Sequence, residues 1–351
     1  MLATVSHILP LTHIRRERLL PVPGRILVRK GQKVAATDPI GEYKPRQDYY
    51  LVDVARVLGI SSDRVDHYIQ CEANSAIAEG DVIAGPVGFT KRTIRAPKSG
   101  KVILTGGGQV LIELDEQPVS VLAGVSGEIT ELISDRGVVV ETTGSLVQGV
   151  WGNGKIDFGP LTALAKSPDH ELSEEQLDAS QRGAVILAGY CKDAHTLEVA
   201  HQVQIRGLVL GSIDFSLKKL AKELPYPIIL LEGFGRFAIN GAAFRLLTSQ
   251  EQKEISLNAE ATNHLAGVRP EIIVPVPTSG TVAQPKTAEY FAPQQRVRIL
   301  NSQHARSTGI LTQIKGWVVM PSGIRAQAAE VVLDQNNEKV IIPFDNLEIL
   351  A

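Results

Sequence analysis

Ala184-Val-Ile-Leu-Ala188, Leu208-Val-Leu210 and Pro227-Ile-Ile-Leu-Leu231 are the three apolar runs whose reading decides the fold. None contains a polar residue, the pattern of strands buried on both faces. Between the first two runs, apolar residues at 194, 197, 200, 203 and 205 follow helical spacing, and Gly207 is a stop signal. Between the second and third, Phe215 to Leu224 reads as a helix ended by Pro225. Strands alternating with helices predict parallel pairing through right-handed crossovers. Upstream, Ser173-Glu-Glu-Gln176 is a capping-box pattern that predicts a helix through Ala179. Downstream, Ala242 to Thr248 reads as a short helix and Ile255-Ser-Leu257 as a fourth strand. This α/β parallel-sheet domain is assigned to residues 173–270.

In an open parallel sheet, ligands gather beyond the carboxyl ends of the strands. The polar residues predicted there are Asp193 after the first strand, Ser212 and Asp214 after the second, and Glu232, Gly233, Gly235 and Arg236 after the third. They are the candidate ligand pocket, with Tyr190, Cys191 and Lys192 beside them. Gly233-Phe-Gly235-Arg-Phe-Ala238 has the spacing of a dinucleotide fingerprint, but it falls on the third strand instead of the first. A tight strand-to-helix turn is the favoured reading, and no cofactor is expected. Gly149-Val-Trp-Gly-Asn-Gly154-Lys155 has the glycine and lysine spacing of a P-loop. Ile156 stands where a Mg²⁺-holding hydroxyl is needed, so a hairpin turn at Asn153-Gly154 is favoured. Gly106-Gly107-Gly108 lies between two strands and reads as a turn. His195 and His201 are six residues apart, on different helix faces, and no metal site or catalytic constellation is expected. The domain resembles a DRTGG-type α/β domain in topology, although its second strand ends Gly211-Ser212-Ile213-Asp214.

The preceding chain reads as short strands and turns. Ile26 and Val28 alternate with charged residues, Lys30-Gly31-Gln32 turns, and Asp38-Pro39-Ile40-Gly41 closes the unit. Related phrases recur at Ile77 to Ala84, Ile94 to Ile103 and Val125 to Ile129. Apolar residues at 51, 54, 55 and 58 predict a helix stopping at Gly59, and Ser61-Ser62-Asp63 a second short helix through Gln70. Gly80-Asp81-Val82-Ile83-Ala84, followed by Arg95-Ala96-Pro97-Lys98-Ser99-Gly100-Lys101-Val102, resembles the barrel-sandwich hybrid of biotinyl and lipoyl carrier domains. That resemblance implies a β-domain over residues 1–160 with a helical insertion at about 51–70. The nearest counterpart of a carrier lysine is Lys91, within Phe89-Thr90-Lys91-Arg92. It lacks the flanking residues of either carrier pattern, and an exposed turn lysine is favoured.

After Val274-Pro-Val-Pro277, the stretch Thr278-Ser-Gly-Thr-Val-Ala-Gln-Pro285 reads as a linker, placed at 271–293. The remaining residues, 294–351, alternate as short strands. Arg296-Val297-Arg298-Ile299, Gly309-Ile310-Leu311 and the closing Pro343 to Leu350 resemble a KOW-type, SH3-like barrel, which implies RNA or RNA polymerase as a possible partner. This segment carries six basic and five acidic residues, a weak phosphate footprint. One local basic cluster exists, Arg15, Arg16, Arg18, Arg25, Arg29 and Lys30, opposed only by Glu17. Its Arg15, Arg16 and Arg18, with Arg296 and Arg298, are the nucleic-acid candidates.

Composition bounds the class. The 351 residues suit two or three domains, 31 Gly and 19 Pro suit many turns, and a formal charge of -2 gives no global attraction to nucleic acid or membrane. Two distant cysteines, with no leader pattern and no long apolar run, point to a cytoplasmic chain without a membrane partner. The expectation is a multi-domain α+β chain of bacterial type. It would be a non-enzymatic binding or assembly protein with a protein partner. RNA association through the tail and a nucleotide-linked enzyme using the pocket near Gly233 are the alternatives.

Overall fold

The computed structural model describes all residues except 1, 46, 47, 90, 116, 264–266, 277, 279–281 and 287. Thr90 of the carrier-like hairpin, and Pro277, Ser279, Gly280, Thr281 and Thr287 of the expected linker, therefore lie outside the described residues. The chain is β-rich and divides into two compact units, one formed by Met1–Leu19, Val28–Ile40 and Leu122–Ala351, the other by Leu20–Leu27 and Gly41–Val121. Among the described residues, no helix is long and apolar enough to cross a membrane.

The three apolar runs form the strands Val185–Cys191, Gly207–Ile213 and Ile228–Phe234. They pair in parallel, with Ile186 opposite Leu208 and Leu208 opposite Ile228. Ile186, Leu208, Leu210 and Ile228 are completely buried on one face, against Leu197 and Ala200 of the helix Ala194–Val203 and Ala221 of the helix Lys218–Glu223. Val185, Leu187, Val209 and Ile229 fill the other face, against Ala243 and Leu247 of the helix Gly241–Thr248. Each such side chain contributes roughly 1.5–3 kcal/mol relative to exposure, which outweighs helix propensity in these short runs. The expected helix at Ser173 is instead two 3-10 turns, Glu174–Gln176 and Ala179–Gln181, each closed by a capping box.

The sheet does not end where the α/β domain was expected to begin. Ile156–Ala163 pairs in parallel with Val185–Cys191 and antiparallel with Glu254–Asn258. Glu271–Pro275 and Gly137–Gln148 continue it, and Ile8–Leu19 and Gly127–Ile133 both pair with Gly137–Gln148. Strands from residues 1–160 thus belong to one eleven-stranded mixed sheet with the parallel core. The cause is burial: Gly137–Gln148 hides most of its length, so it must be covered like a core strand. Close approach is part of the arrangement, because a Cβ at Gly144 would collide with the carbonyl oxygen of Val274. The linker assignment also changes at its start. Ile272, Ile273 and Val274 are buried at 0–1% exposure in the strand Glu271–Pro275, where the neighbouring prolines disguise a core strand.

The C-terminal strands Arg296–Ile299, Thr308–Val319, Arg325–Leu333, Lys339–Pro343 and Leu347–Leu350 form a second sheet. Its core is Val297, Ile299, Leu311, Val331, Ile342, Phe344 and Ile349. This sheet recruits the N-terminal strand Leu2–Ser6, whose Val5 lies parallel to Ile349 and whose Ala3 is antiparallel to Glu289. The C-terminal sheet therefore extends beyond residues 294–351.

In the smaller unit, Tyr49–Asp53, Gln109–Leu114, Gly100–Gly106 and Ala76–Ile77 form a four-stranded sheet, and Val82–Val87 pairs with Arg92–Arg95. The expected first helix is shorter than its spacing suggests. Leu51 to Asp53 are strand, paired with Gln109 to Leu111, and only Val54–Leu58 is helical. Gly59 ends it in the left-handed conformation, as expected. The second helix is Ser62–Val65, continued by the 3-10 turn Asp66–Tyr68. Val52, Leu58, Ile83, Val102 and Ile112 form this unit's core.

Candidate functional site

The strand-end residues stand at the carboxyl ends of three neighbouring parallel strands, but the polar atoms of Asp193, Ser212 and Asp214 are engaged by the chain itself. Asp193 caps its helix, accepting from the Thr196 N–H at 2.8 Å and the Thr196 hydroxyl at 3.0 Å. Asp214 caps the next turn, accepting from the Ser216 N–H at 2.9 Å and the Ser216 hydroxyl at 2.6 Å. The Ser212 hydroxyl donates to the Phe237 carbonyl and accepts from the Phe237 N–H, both at 2.9 Å. This pins the turn after the third strand. Gly233, within the last two residues of that strand, and Gly235, just beyond it, have φ of +104° and +124°, the conformation that calls for glycine. Arg236 is exposed over the Tyr190 ring, 5.6 Å from its centroid, and lies 3.8 Å from Glu171.

Glu232 is the exception. It is 2% exposed and accepts from the Asn240 N–H at 3.1 Å. Burial pushes its carboxyl above the ordinary glutamate range, although Arg298 acts in the opposite direction. Arg298 reaches it from the C-terminal sheet at 3.5 Å, and the Arg306 guanidinium lies beside Gly233. Burial, with the neighbouring Arg298 charge, holds Arg306 below its usual value. The strand Arg296–Ile299 and the loop that follows it thus supply two arginines to the carboxyl end of the third strand, where a ligand was expected.

The nucleic-acid candidates separate. Arg298 is 1% exposed and has no solvent face for a phosphate. Arg296 pairs with Asp334 at 2.5 Å. Arg15, Arg16 and Arg18 stay together on the strand Ile8–Leu19 and line a cavity of ≈ 360 Å³. Arg269, His7, His13, Gly124, Gln148, Asn258, Glu17, Glu260, Glu271, Gln284 and Pro285 also line it. Four guanidiniums and three carboxylates therefore meet in one cleft.

The cleft has a fixed side and a looser side. Glu271, at 5% exposure, accepts from Arg16 Nε at 2.8 Å, Arg16 Nη2 at 2.7 Å and Gln148 Nε2 at 2.8 Å. This is a bidentate, charge-assisted pair. Burial works against the Arg16 charge, but Glu271 outweighs it and holds the guanidinium above its ordinary value. His7 adds rigidity, with its ring between Gln148 Oε1 at 2.9 Å and the Lys286 carbonyl at 3.0 Å. Arg15, more exposed, is shared among Glu17, Glu131 and Glu141. Arg18 donates to the Leu122 carbonyl at 3.2 Å and to Glu260 at 2.7 Å.

The sequence singled out the three arginines but not Arg269, Asn258 or Glu260, which join them only through the pairing of distant strands. It also misassigned Asn153. Trp151–Gly152 pairs with Ile228–Phe234 instead of with the strand following Gly154, so no hairpin forms there. The Asn153 amide donates to the Ala221 and Tyr226 carbonyls at 2.9 Å, and its oxygen accepts from the Ile228 N–H at 3.0 Å. Trp151 packs edge-on to Phe234 as part of the covering layer. Lys91 lies at the turn between Val82–Val87 and Arg92–Arg95, with φ of +48° and its N–H donating to the Gly88 carbonyl at 3.1 Å. Among the described residues, no group of three or more His, Cys, Asp or Glu is arranged to hold a metal ion.

No family model and no curated protein matches the chain. Among solved structures, it is similar to the RNA-processing inhibitor RraA from Thermus thermophilis, at 13% identity over 40% of this chain and 90% of that one, with a TM-score of 0.28. A likeness at this level carries no argument about function.

Proposed function

We propose that the protein is a non-enzymatic binding protein whose ligand site is the polar cleft along the strand Ile8–Leu19. The observation that carries this reading is the cavity of ≈ 360 Å³ in which Arg15, Arg16, Arg18 and Arg269 converge. That volume suits a small molecule, and a few convergent polar groups set its orientation. The engagement of Asp193, Ser212 and Asp214 as caps and turn pins supports binding over catalysis, since those atoms already have partners. The finer domain reading belongs to the same proposal. The smaller unit, with its short sheets and helical insertion, is a barrel-sandwich hybrid, and the C-terminal strands are an SH3-like barrel that serves assembly with a protein partner in the cytoplasm.

The test is equilibrium dialysis of the full chain against a mixture of polar metabolites, with mass spectrometry of what is retained. The expected result is a compound held by the wild type and released by Gln284→Trp, which fills the cleft from its exposed rim. Retention unaffected by Gln284→Trp would overturn the site. Turnover of a small molecule that disappears in Asp214→Ala or Glu232→Ala would overturn the non-enzymatic reading.

A further inference from the structure

The looser side of the cleft has the chemistry of an anion subsite. Glu260 Oε2 accepts from Arg18 Nη1 at 2.7 Å and from Asn258 Nδ2 at 3.4 Å. The donors are held in place: Arg18 is 15% exposed and also anchored to the Leu122 carbonyl, and Asn258 is 9% exposed at the end of a core strand. The acceptor is not held in the same way, because the Glu260 side chain is 43% exposed. A carboxylate with that much access to water leaves its partner at little cost. The sealed Arg16–Glu271 pair across the cleft has no such freedom.

Gly124 completes the corner. Its φ is +76°, and a Cβ there would stand 3.2 Å from Arg18 Cζ and 3.3 Å from Asn258 Nδ2. A side chain at this position would fill the space in front of both donors. We propose that Arg18, Asn258 and Gly124 form a subsite for a small carboxylate or phosphate anion, which Glu260 occupies in the free protein as an internal stand-in. The inference rests on the cleft being the ligand site and specifies the chemistry of what enters it. A guanidinium presents parallel N–H groups that match either oxyanion, and the Asn258 amide adds a donor that needs no charge.

Calorimetric titration of the full chain with citrate and, separately, with inorganic phosphate at low ionic strength tests the subsite, with chloride as the control. At least one oxyanion should bind saturably, and the tighter of the two identifies the chemical source. Glu260→Gln should tighten binding about tenfold by weakening the internal competitor. Arg18→Gln should weaken it at least about tenfold, a loss expected when one charged partner is removed. If Arg18→Gln fails to fold, Asn258→Asp, which places a negative charge in the corner, should abolish binding instead. Unchanged or weaker binding in Glu260→Gln, or binding of neither oxyanion, would overturn the subsite. A neutral metabolite released by Gln284→Trp, alongside either of those results, would leave the cleft reading standing and end only the anion assignment.

Discussion

Arg298 Nε lies 3.5 Å from Glu232 Oε2, and the two side chains expose only 1% and 2% of their surface. The same guanidinium lies 3.7 Å from Glu348, which Arg269 holds at 2.5 Å. A line of alternating charge therefore runs from a residue of the cleft wall, through the C-terminal sheet, to the end of the third parallel strand. Within it, Arg298 Nε, Glu232 Oε2 and Glu348 Oε2 are buried without hydrogen-bond partners. Coulomb attraction at 3.5–3.7 Å, with few direct hydrogen bonds, offsets only part of the cost of burying these charges.

Arg298→Met should destabilise the protein strongly. It leaves two buried carboxylates without their shared cation, a change that costs about 3–5 kcal/mol. The double variant Glu232→Gln, Arg298→Met should recover part of that loss, since it removes the carboxylate stranded at Glu232 while Glu348 keeps Arg269. Urea midpoints of the two variants, with the slope checked for constancy, decide the matter. Equal destabilisation in both would show that shape, not charge, is what Arg298 supplies.

Glu232 gives the protein a pH dependence of predictable sign. Its carboxyl is raised in the folded state, mainly by burial, so the folded chain holds this proton to higher pH than the unfolded chain does. The stabilising contribution is fully present below the ordinary glutamate range and is lost as pH rises through the folded value. Glu232→Gln stays neutral throughout. Its stability relative to wild type should therefore improve as pH rises upward from the ordinary glutamate range. Denaturation midpoints of both proteins, taken as a pH series, measure the difference. A flat difference, or one of the opposite slope, contradicts the assignment.

Asp193→Ala should cost about 1 kcal/mol through loss of the helix cap, and Asp193→Asn less, because the amide oxygen can still accept from the Thr196 N–H. Neither change should alter ligand retention by the cleft. Thermal midpoints alongside dialysis separate the two effects. Lost retention without lost stability would return Asp193 to the ligand site.

Where the sequence is locally decisive, expectation and structure agree. The runs at 184, 208 and 227 have no polar interruption, the intervening helices are amphipathic, and the parallel pairing follows. Where long-range pairing decides, local pattern fails. Ile272 to Val274 sit between prolines and read as linker, yet the strands on either side bury them. Leu51 carries helical spacing but pairs across to Leu111. The site is divided in the same way. Arg15, Arg16 and Arg18 are visible as a cluster, whereas Asn258 and Glu260 lie some 240 residues away and reach Arg18 only through the sheet. Arg298 looked like one more surface cation because an alternating strand gives no sign that a second sheet covers its polar face.

The two cysteines should differ in reactivity. Burial pushes the Cys191 thiol up to about 12, and its Sγ lies 3.5 Å from the Asp193 carbonyl oxygen. At pH 8 only roughly one such thiol in ten thousand is the nucleophilic thiolate. Burial also raises Cys71, but this residue is only partly buried and keeps some access to solvent. Iodoacetamide at pH 8 should therefore alkylate Cys71 slowly in the folded protein and leave Cys191 unmodified until denaturant is added. Peptide mass spectrometry over a time course reads both sites. Comparable rates at the two positions would mean that the first parallel strand, on which Cys191 lies, opens far more readily than its packing allows.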